Sequence, residues 1–255
     1  MLTIKNEHEI EKMAVSGKIV GETLLLMQKL AKPGVTTAEL DREAEAFIRS
    51  KGAVPSFLHY NGYPKSICTS VNAQVVHGIP GKYVLREGDI LSVDVGAVIN
   101  GFHGDAARTF LIGEVAPEVC ELVKVTRECF YEGLKFARPG YRISDIGKAV
   151  QAHAESHGYG VVRELVGHGI GTNMHESPDV PNYYDRRMGL GIRLQKGMTI
   201  AIEPMINLGT REVFQLADGW TVETRDKKPS AHYENTVVIT DDEPRLLTLM
   251  GVHDD

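Results

Sequence analysis

The sequence has 255 residues, 42% of them hydrophobic and 24% charged, which allows a core of ordinary size. A formal net charge of -6 excludes the overall basic field that nucleic-acid binding usually needs, so no nucleic-acid substrate is expected. The N-terminal stretch is charged, no apolar run could span a bilayer, and the three cysteines lack metal-type spacing. We therefore expect a cytoplasmic protein with reduced thiols and no membrane contact.

The first predicted elements are two helices. Apolar residues recur at helical spacing from Ile10 to Leu30, which predicts an amphipathic helix. A Lys-Pro-Gly stop follows, and Thr36 with Glu39 is the pattern of a capping box that opens a second helix.

The next predicted element is a hairpin in VDVGAVINGFHGDAARTF, residues 93–110. Asn100-Gly101 favours a two-residue turn, which pairs Ile99 with Phe102 and places Asp105 opposite Gly96. Asp94, two residues before Gly96, then lies diagonally from Asp105 on the same face, within reach of one ion or of an ion pair. The alternative for this stretch alone is two acids at a solvated sheet edge.

The second half repeats the plan of the first. A looser helical pattern runs from Val119 to Phe136, and residues 138–158 match residues 32–52 at an offset of 106, with Ser144 as the predicted helix cap. KGMTIAIE (196–203) resembles EGDILSVD (87–94) and puts Glu203 in the place of Asp94, and YENTVVIT (233–240) predicts a strand with Glu234 near its start. The predicted fold class is α+β, as one domain over 1–255 with two pseudo-symmetric halves, roughly 1–110 and 111–255.

If the halves face each other, four acids converge with one imidazole from VGHGIGTNMHE: Asp94, Asp105, Glu203, Glu234 and His168. Two divalent cations would neutralise the four negative charges, and oxygen and nitrogen donors without thiolate suit Mn, Fe, Co or Zn. The glycines beside His168 indicate backbone crowding near a site. Each residue also has an ordinary alternative: Glu203 could end a strand, Glu234 could be an exposed strand acid, and His77 and His175 could be core or loop histidines.

Over essentially its whole length the sequence resembles the type I methionine aminopeptidases of the pita-bread fold, metallopeptidase family M24. The resemblance is carried by NGYPKSICTSVNAQVVHGIP, DVGAVINGFHGD, ELVGHGIGTNMHE, AIEPM and YENTVVIT. It implies a central antiparallel sheet covered by helices, and an enzyme that uses two divalent metal ions to remove the N-terminal methionine when the second residue is small. Peptides and nascent chains would be its substrates; we expect a monomer, and association with the ribosome is left open.

The resemblance also implies roles for individual residues. The five donors would be the metal ligands, with Asp105 and Glu234 bridging the ions and Glu203 acting as general acid/base. His175 would polarise the scissile carbonyl, and His77 would bind the substrate near the cleaved bond. The remaining substrate-binding residues would line the methionine pocket: Tyr60, Tyr63, Cys68, Trp220, Phe57 and Met174.

Three positions depart from the family pattern, at Phe57, Met174 and His232, where a small residue or Cys, an aromatic residue and Gln are respectively frequent. They leave the metal set untouched and concern the shape of the pocket. Two other functions remain as alternatives: an X-Pro aminopeptidase or prolidase, which shares the fold, and a non-catalytic binding protein of the same fold.

Overall fold

The computed structural model describes residues 2–249. Within this range the helices are Glu7–Leu30 (α1), Thr37–Ser50 (α2), Pro117–Leu134 (α3) and Ile143–Ser156 (α4). The strands are Val54–Pro55 (β1), Cys68–Val71 (β2), Gln74–Val76 (β3), Ile90–Ile99 (β4), Phe102–Leu111 (β5), Gly160–Val161 (β6), Gly167–Gly169 (β7), Glu176–Val180 (β8), Thr199–Ile202 (β9), Met205–Asn207 (β10), Val213–Gln215 (β11), Val222–Thr224 (β12), Ser230–His232 (β13), Asn235–Val238 (β14) and Arg245–Leu246 (β15). Single 3-10 turns lie at Tyr60–Gly62 and Arg186–Met188.

The internal repeat is visible in the backbone. Helices α2 and α4 each have 14 residues, and both bounds of α4 lie 106 positions after those of α2. Gly34 and Gly140, which precede them, share a φ of +95°, a left-handed conformation that glycine adopts without steric cost. The offset of 106 therefore relates the two segments in conformation as well as in sequence.

The helix caps follow the repeat less closely. The Thr36–Glu39 capping box is present as predicted at α2. The predicted cap at Ser144 is wrong, because α4 begins at Ile143 and Ser144 is buried inside its first turn. At this end the Arg142 amide donates instead to Asp145 Oδ2 at 2.9 Å. The predicted helical pattern to Phe136 also runs too far, since α3 ends at Leu134.

The strands pair antiparallel throughout the described range, and they form four adjoining sheets rather than a single continuous one. One sheet has the order β1-β4-β2 with β5 paired to β4, and a second has the order β15-β14-β9-β7-β8. Two small sheets, β13-β10-β6 and β11-β12-β3, lie beside them. β9 begins 109 positions after β4, which agrees with the predicted correspondence of Glu203 with Asp94.

The core is divided in the same way as the repeat. In the first half, α1 packs on β4 and β5 and also contacts α2, and this packing buries one apolar cluster. In the second half, α3 packs on α4 and on the strands β9, β10 and β13, and this packing buries a second cluster. A smaller cluster between them contains residues of both halves, among them Phe57, Tyr63 and Met174. None of the helices in residues 2–249 has the length and apolar character needed to cross a membrane. The predicted α+β architecture with helices over antiparallel sheets is confirmed.

Candidate metal centre

The β4–β5 hairpin places two carboxylates on one face. Its register is the predicted one, with Ile99 opposite Phe102 and Gly96 opposite Asp105. Asp94 is partly buried and Asp105 is only 3% exposed. The alternative of a solvated sheet edge is therefore wrong for this pair.

Two further acids lie at the same end of the neighbouring strand pair. Glu203 directly follows β9 and Glu234 directly precedes β14, and the pairing of Ile202 with Asn235 makes the two acids adjacent. The Glu234 amide donates to the Ala107 carbonyl at 3.0 Å, which joins this end to the hairpin. The Glu234 side chain is only 1% exposed, so Glu234 is not an ordinary surface acid.

His168 completes the predicted donor set from β7. A Cβ atom on either flanking glycine would lie 2.4 Å from a backbone oxygen of a neighbouring strand, so the predicted crowding is present. His168 Nδ1 lies 2.8 Å from the Gly169 carbonyl oxygen, which places the hydrogen on Nδ1 and leaves Nε2 as the donor atom. His168 Nε2 is 3.6 Å from Asp105 Oδ2 and 3.7 Å from Glu203 Oε1.

Most of the donor atoms fall into two groups that share Glu234, whereas Glu203 belongs to neither group and lies beside both imidazoles, 3.7 Å from His168 Nε2 and 3.8 Å from His232 Nε2. Asp105, His168 and Glu234 offer atoms within 4.8 Å of one another, and Asp94 and His232 form a second such group with Glu234. Asp105 belongs to the first group alone. The presence of His232 beside the acids is new, because the sequence placed it only at a pocket position.

The electrostatics of the site call for cations. Burial, followed by the repulsion of neighbouring carboxylates, raises the pKa of Asp94, Glu203 and Glu234 well above the usual range. Burial also raises the pKa of Asp105 to about 7. Within the described part of the chain, buried donor atoms without a hydrogen-bond partner occur on Asp94 (Oδ1), Asp105 (Oδ1), Glu234 (Oε1) and His232 (Nε2). Since unpaired buried polar atoms are costly, these donors fit divalent ions well.

The imidazoles around the acids are neutral. Burial lowers the pKa of His77 and His175 to about 4 and that of His232 to about 3, and it lowers the pKa of His168 as well. A neutral imidazole is the form that binds metal ions or donates a hydrogen bond from one nitrogen. The site therefore combines carboxyl oxygen donors with uncharged nitrogen groups.

Next to these donors lies a cavity of about 240 Å³. Every site residue predicted from the sequence contributes to its wall, including the two histidines predicted to be catalytic and all the predicted pocket residues. The wall also contains residues that the prediction missed: Asn61, Val76, Leu165, Val166, Met205 and, beside the acids, His232. Most of these are apolar, and in the sequence they have the pattern of ordinary core residues.

The apolar part of the cavity is held by tight packing. Tyr63 and Trp220 meet edge to face with ring centroids 5.1 Å apart, and the Tyr63 hydroxyl donates to the Gly78 carbonyl. Cys68 pairs with Asp94 across β2 and β4, and Met174 is 2% exposed. This rigid wall of aromatic rings and sulfur atoms directly adjoins the acids.

His77 and His175 both line the cavity. The His175 ring is 4.2 Å from that of His168, and His175 Nδ1 lies 2.8 Å from the Tyr60 hydroxyl. His77 has a left-handed backbone, with φ of +59°, directly after β3. Neither belongs to a donor group of the described residues, so both are available to a bound ligand.

Comparison with known proteins agrees with this geometry. Residues 11–241 match the model of "Metallopeptidase family M24". The chain is 57% identical over 250 residues to a methionine aminopeptidase of Clostridium acetobutylicum, covering 98% of this chain and 99% of that protein. The crystal structure of a methionine aminopeptidase from Rickettsia prowazekii superimposes with a TM-score of 0.95 at 42% identity, covering 98% of this chain and all of that one. A prolidase from Pyrococcus furiosus matches with a TM-score of 0.75 at 22% identity, covering 96% of this chain and 65% of that chain, and this match shows the shared fold alone. The chain belongs to metallopeptidase family M24 and, within it, to the methionine aminopeptidases.

Proposed function

We propose that this protein hydrolyses the first peptide bond of peptides and nascent proteins that begin with methionine and continue with a small residue. The observation that supports this most directly is the position of the apolar cavity against the buried acids. A side chain held by Tyr63, Cys68 and Trp220 brings the adjoining peptide bond to the metal centre.

The donor set fits two divalent ions, as in other two-metal hydrolases. Asp94, Asp105, His168, Glu203 and Glu234 would hold the two ions. Four carboxylates balance two doubly charged ions, whereas one ion would leave two buried charges uncompensated. Oxygen and imidazole donors are compatible with Mn, Fe, Co or Zn. When bound, such ions activate water near neutral pH and polarise a carbonyl group.

Side chains of the protein transfer protons and orient the substrate. Glu203 takes the proton of the attacking water and returns it to the leaving amine, as a carboxylate placed beside the metal centre can do. His175 donates a hydrogen bond to the carbonyl oxygen as negative charge develops there. The Tyr60 hydroxyl, by donating to Nδ1 of His175, would leave the hydrogen on Nε2. His77 binds the substrate beside the cleaved bond.

The cavity accounts for preference at the first residue. An unbranched thioether fits between aromatic rings and a thiol, where sulfur makes favourable contacts. Phe57 and Met174, which are both buried, close the wall. These two positions depart from the family pattern, and they are the places where selectivity toward inhibitors would differ.

The remaining parts of the proposal concern domain organisation, oligomeric state and cellular location. We propose that residues 1–255 form one catalytic domain that acts as a monomer in the cytoplasm. The three free cysteines, Cys68, Cys120 and Cys129, agree with a reducing compartment. Association with the ribosome would bring the enzyme to nascent chains.

A peptide series tests the function. After chelation and reloading with Co²⁺ or Mn²⁺, the protein should release methionine from Met-Ala-Ser, whereas Leu-Ala-Ser, Met-Trp-Ser and a Gly-Pro peptide should be poor substrates. The chelated protein is the matched control and should be inactive. Preferential cleavage of Gly-Pro would identify a prolidase-type activity, and binding of Met-Ala-Ser without cleavage in the loaded protein would identify a non-catalytic binder. Either result would contradict the proposal.

A further inference from the structure

We infer that His232 is a sixth metal ligand, which binds the ion held by Asp94. The inference rests on the proposed two-metal function and goes beyond its five ligands. His232 ends β13, its side chain is 2% exposed, and its Nε2 atom has no hydrogen-bond partner among residues 2–249.

The distances fit ligation better than hydrogen bonding. His232 Nε2 is 3.8 Å from Glu203 Oε2 and 3.8 Å from Glu234 Oε2, beyond the range of a hydrogen bond to either. Two atoms bound to one ion at about 2.1 Å each can be up to about 4.2 Å apart. An ion between these three atoms would satisfy the nitrogen and both carboxylates at once.

The backbone holds His232 firmly in this position. Its amide donates to Thr109 Oγ1 at 2.9 Å, and the Thr109 hydroxyl donates back to the His232 carbonyl at 2.9 Å. On the other side, His232 pairs with Met205, two residues after Glu203. The backbone of His232 is therefore fixed between the hairpin and the strand that follows Glu203, which limits where its imidazole can lie.

With His232 included, the two donor groups become equivalent. Each has one aspartate, one imidazole and the shared Glu234: Asp105 with His168 in the first group, and Asp94 with His232 in the second. The five-ligand set gives an imidazole to one ion only. Because the imidazole is neutral, the sixth ligand leaves the charge balance of four carboxylates and two cations unchanged.

This arrangement has a consequence for metal binding. An added nitrogen donor favours Co²⁺ or Zn²⁺ more than Mn²⁺, because softer donors are preferred by the later ions. The second ion should therefore be held more tightly, and with greater preference for Co²⁺ over Mn²⁺, than an oxygen-only site beside Asp94 would allow.

The test compares H232Q with H77Q. Both replace a cavity histidine by the same neutral amide, but His77 belongs to neither donor group. Purified, chelated proteins are titrated with Co²⁺ in a calorimeter, and bound Co²⁺ is counted by elemental analysis after gel filtration. Circular dichroism verifies folding, and a variant that fails to fold is replaced by H232N.

The wild type and H77Q should bind two ions, and H232Q should bind the second ion at least about tenfold more weakly while retaining the first. The Co²⁺ visible absorption of the second site should change in H232Q alone. Two ions bound with unchanged affinity and spectrum in H232Q would overturn the inference. The inference about His232 could fail in this way while the proposed function remained supported, provided that the wild type released methionine from Met-Ala-Ser. A wild type that neither bound Co²⁺ nor cleaved this peptide would contradict both the inference and the proposed function.

Discussion

At the scale of single residues, Glu203 is the side chain on which the proposed reaction depends most. It lies 3.7 Å from His168 Nε2 and 3.8 Å from His232 Nε2, and its pKa is raised by burial and by Asp105 and Asp94. Its position beside both imidazoles and among the other acids places its carboxyl oxygens where a water molecule held at the metal centre could give up a proton to them.

Glu203→Gln should lower kcat by about 10²- to 10⁴-fold, because the amide cannot accept the proton of the attacking water. Initial rates on Met-Ala-Ser measure the effect, and the count of bound metal separates proton transfer from loss of an ion. A variant that keeps both its metal and its full turnover would remove Glu203 from the proposed role.

His175→Ala should lower kcat by about 10²-fold or more, with a smaller change in KM, if the imidazole stabilises the developing oxyanion. Tyr60→Phe keeps the aromatic ring and removes the hydroxyl 2.8 Å from Nδ1, so a smaller loss of kcat is expected. His8→Ala, on the exposed face of α1, is the matched control and should be neutral. Wild-type rates in both cavity variants would mean that His175 is structural.

At the scale of elements, the join between β5 and β14 brings the acids of the two halves together. Thr236 Oγ1 accepts from the Asp105 amide at 3.0 Å and donates to the Asp105 carbonyl at 2.9 Å. One buried side chain thus connects the hairpin to the strand that follows Glu234. Together with the hydrogen bond from the Glu234 amide to the Ala107 carbonyl, this contact joins β5 to β14 next to Asp105 and Glu234.

Thr236→Val should lower the free energy of unfolding by about 2 to 4 kcal/mol, because two buried backbone groups lose their partner. Thr126→Val is the control: Thr126 is also buried, but its hydroxyl bonds only to the Leu122 carbonyl within α3. We expect that change to cost less than about 1 kcal/mol. Denaturant unfolding of the metal-free proteins measures both, and equal losses would show that Thr236 has no special part in joining the sheets.

At the scale of the whole molecule, the two halves enclose a cluster of acidic side chains whose charge bound cations would neutralise. In the metal-free protein, Asp105 has a pKa of about 7, against an ordinary value of 3.8. The unfolded chain therefore loses this proton at lower pH than the folded one. Because of Asp105, the stability of the metal-free protein decreases as the pH rises from about 4 to about 7.

Bound metal should reverse this effect. The increase in unfolding free energy on saturation with Co²⁺ should be greater at about pH 7.5 than at about pH 5.5, because ions bind the deprotonated carboxylates and release their protons. At a free concentration of about 1,000 times Kd, each ion should contribute about 4 kcal/mol. The measured quantity is the difference in unfolding free energy between the loaded and the metal-free protein at each pH. In this difference, the contributions from the titration of His77 and His175 cancel, because they are present in both proteins. An increase that is independent of pH would show that the carboxylates are already ionised without metal.

The sequence by itself determined the elements and much of the donor set. The Asn100-Gly101 turn was sufficient to predict the hairpin register, because strand alternation fixes which side chains share a face. The offset of 106 anticipated α4 from α2, and the match of residues 196–203 to 87–94 anticipated Glu203. Each of these features depends on residues that are close together in the sequence, or repeats such a segment elsewhere in the chain. They can therefore be predicted from the order of the residues alone.

Only the tertiary structure decided how the halves meet. The cap at Arg142 rather than Ser144, the division into four sheets and the Thr236 link all depend on contacts that the sequence pattern does not specify. His232 is the clearest example: its identity was visible, but its place beside Asp94 and Glu234 arises from a strand that pairs with Met205 and is held by Thr109. The physical reason is that side-chain donors act over a few ångströms, and separations of that size between distant segments are set by packing of the two halves.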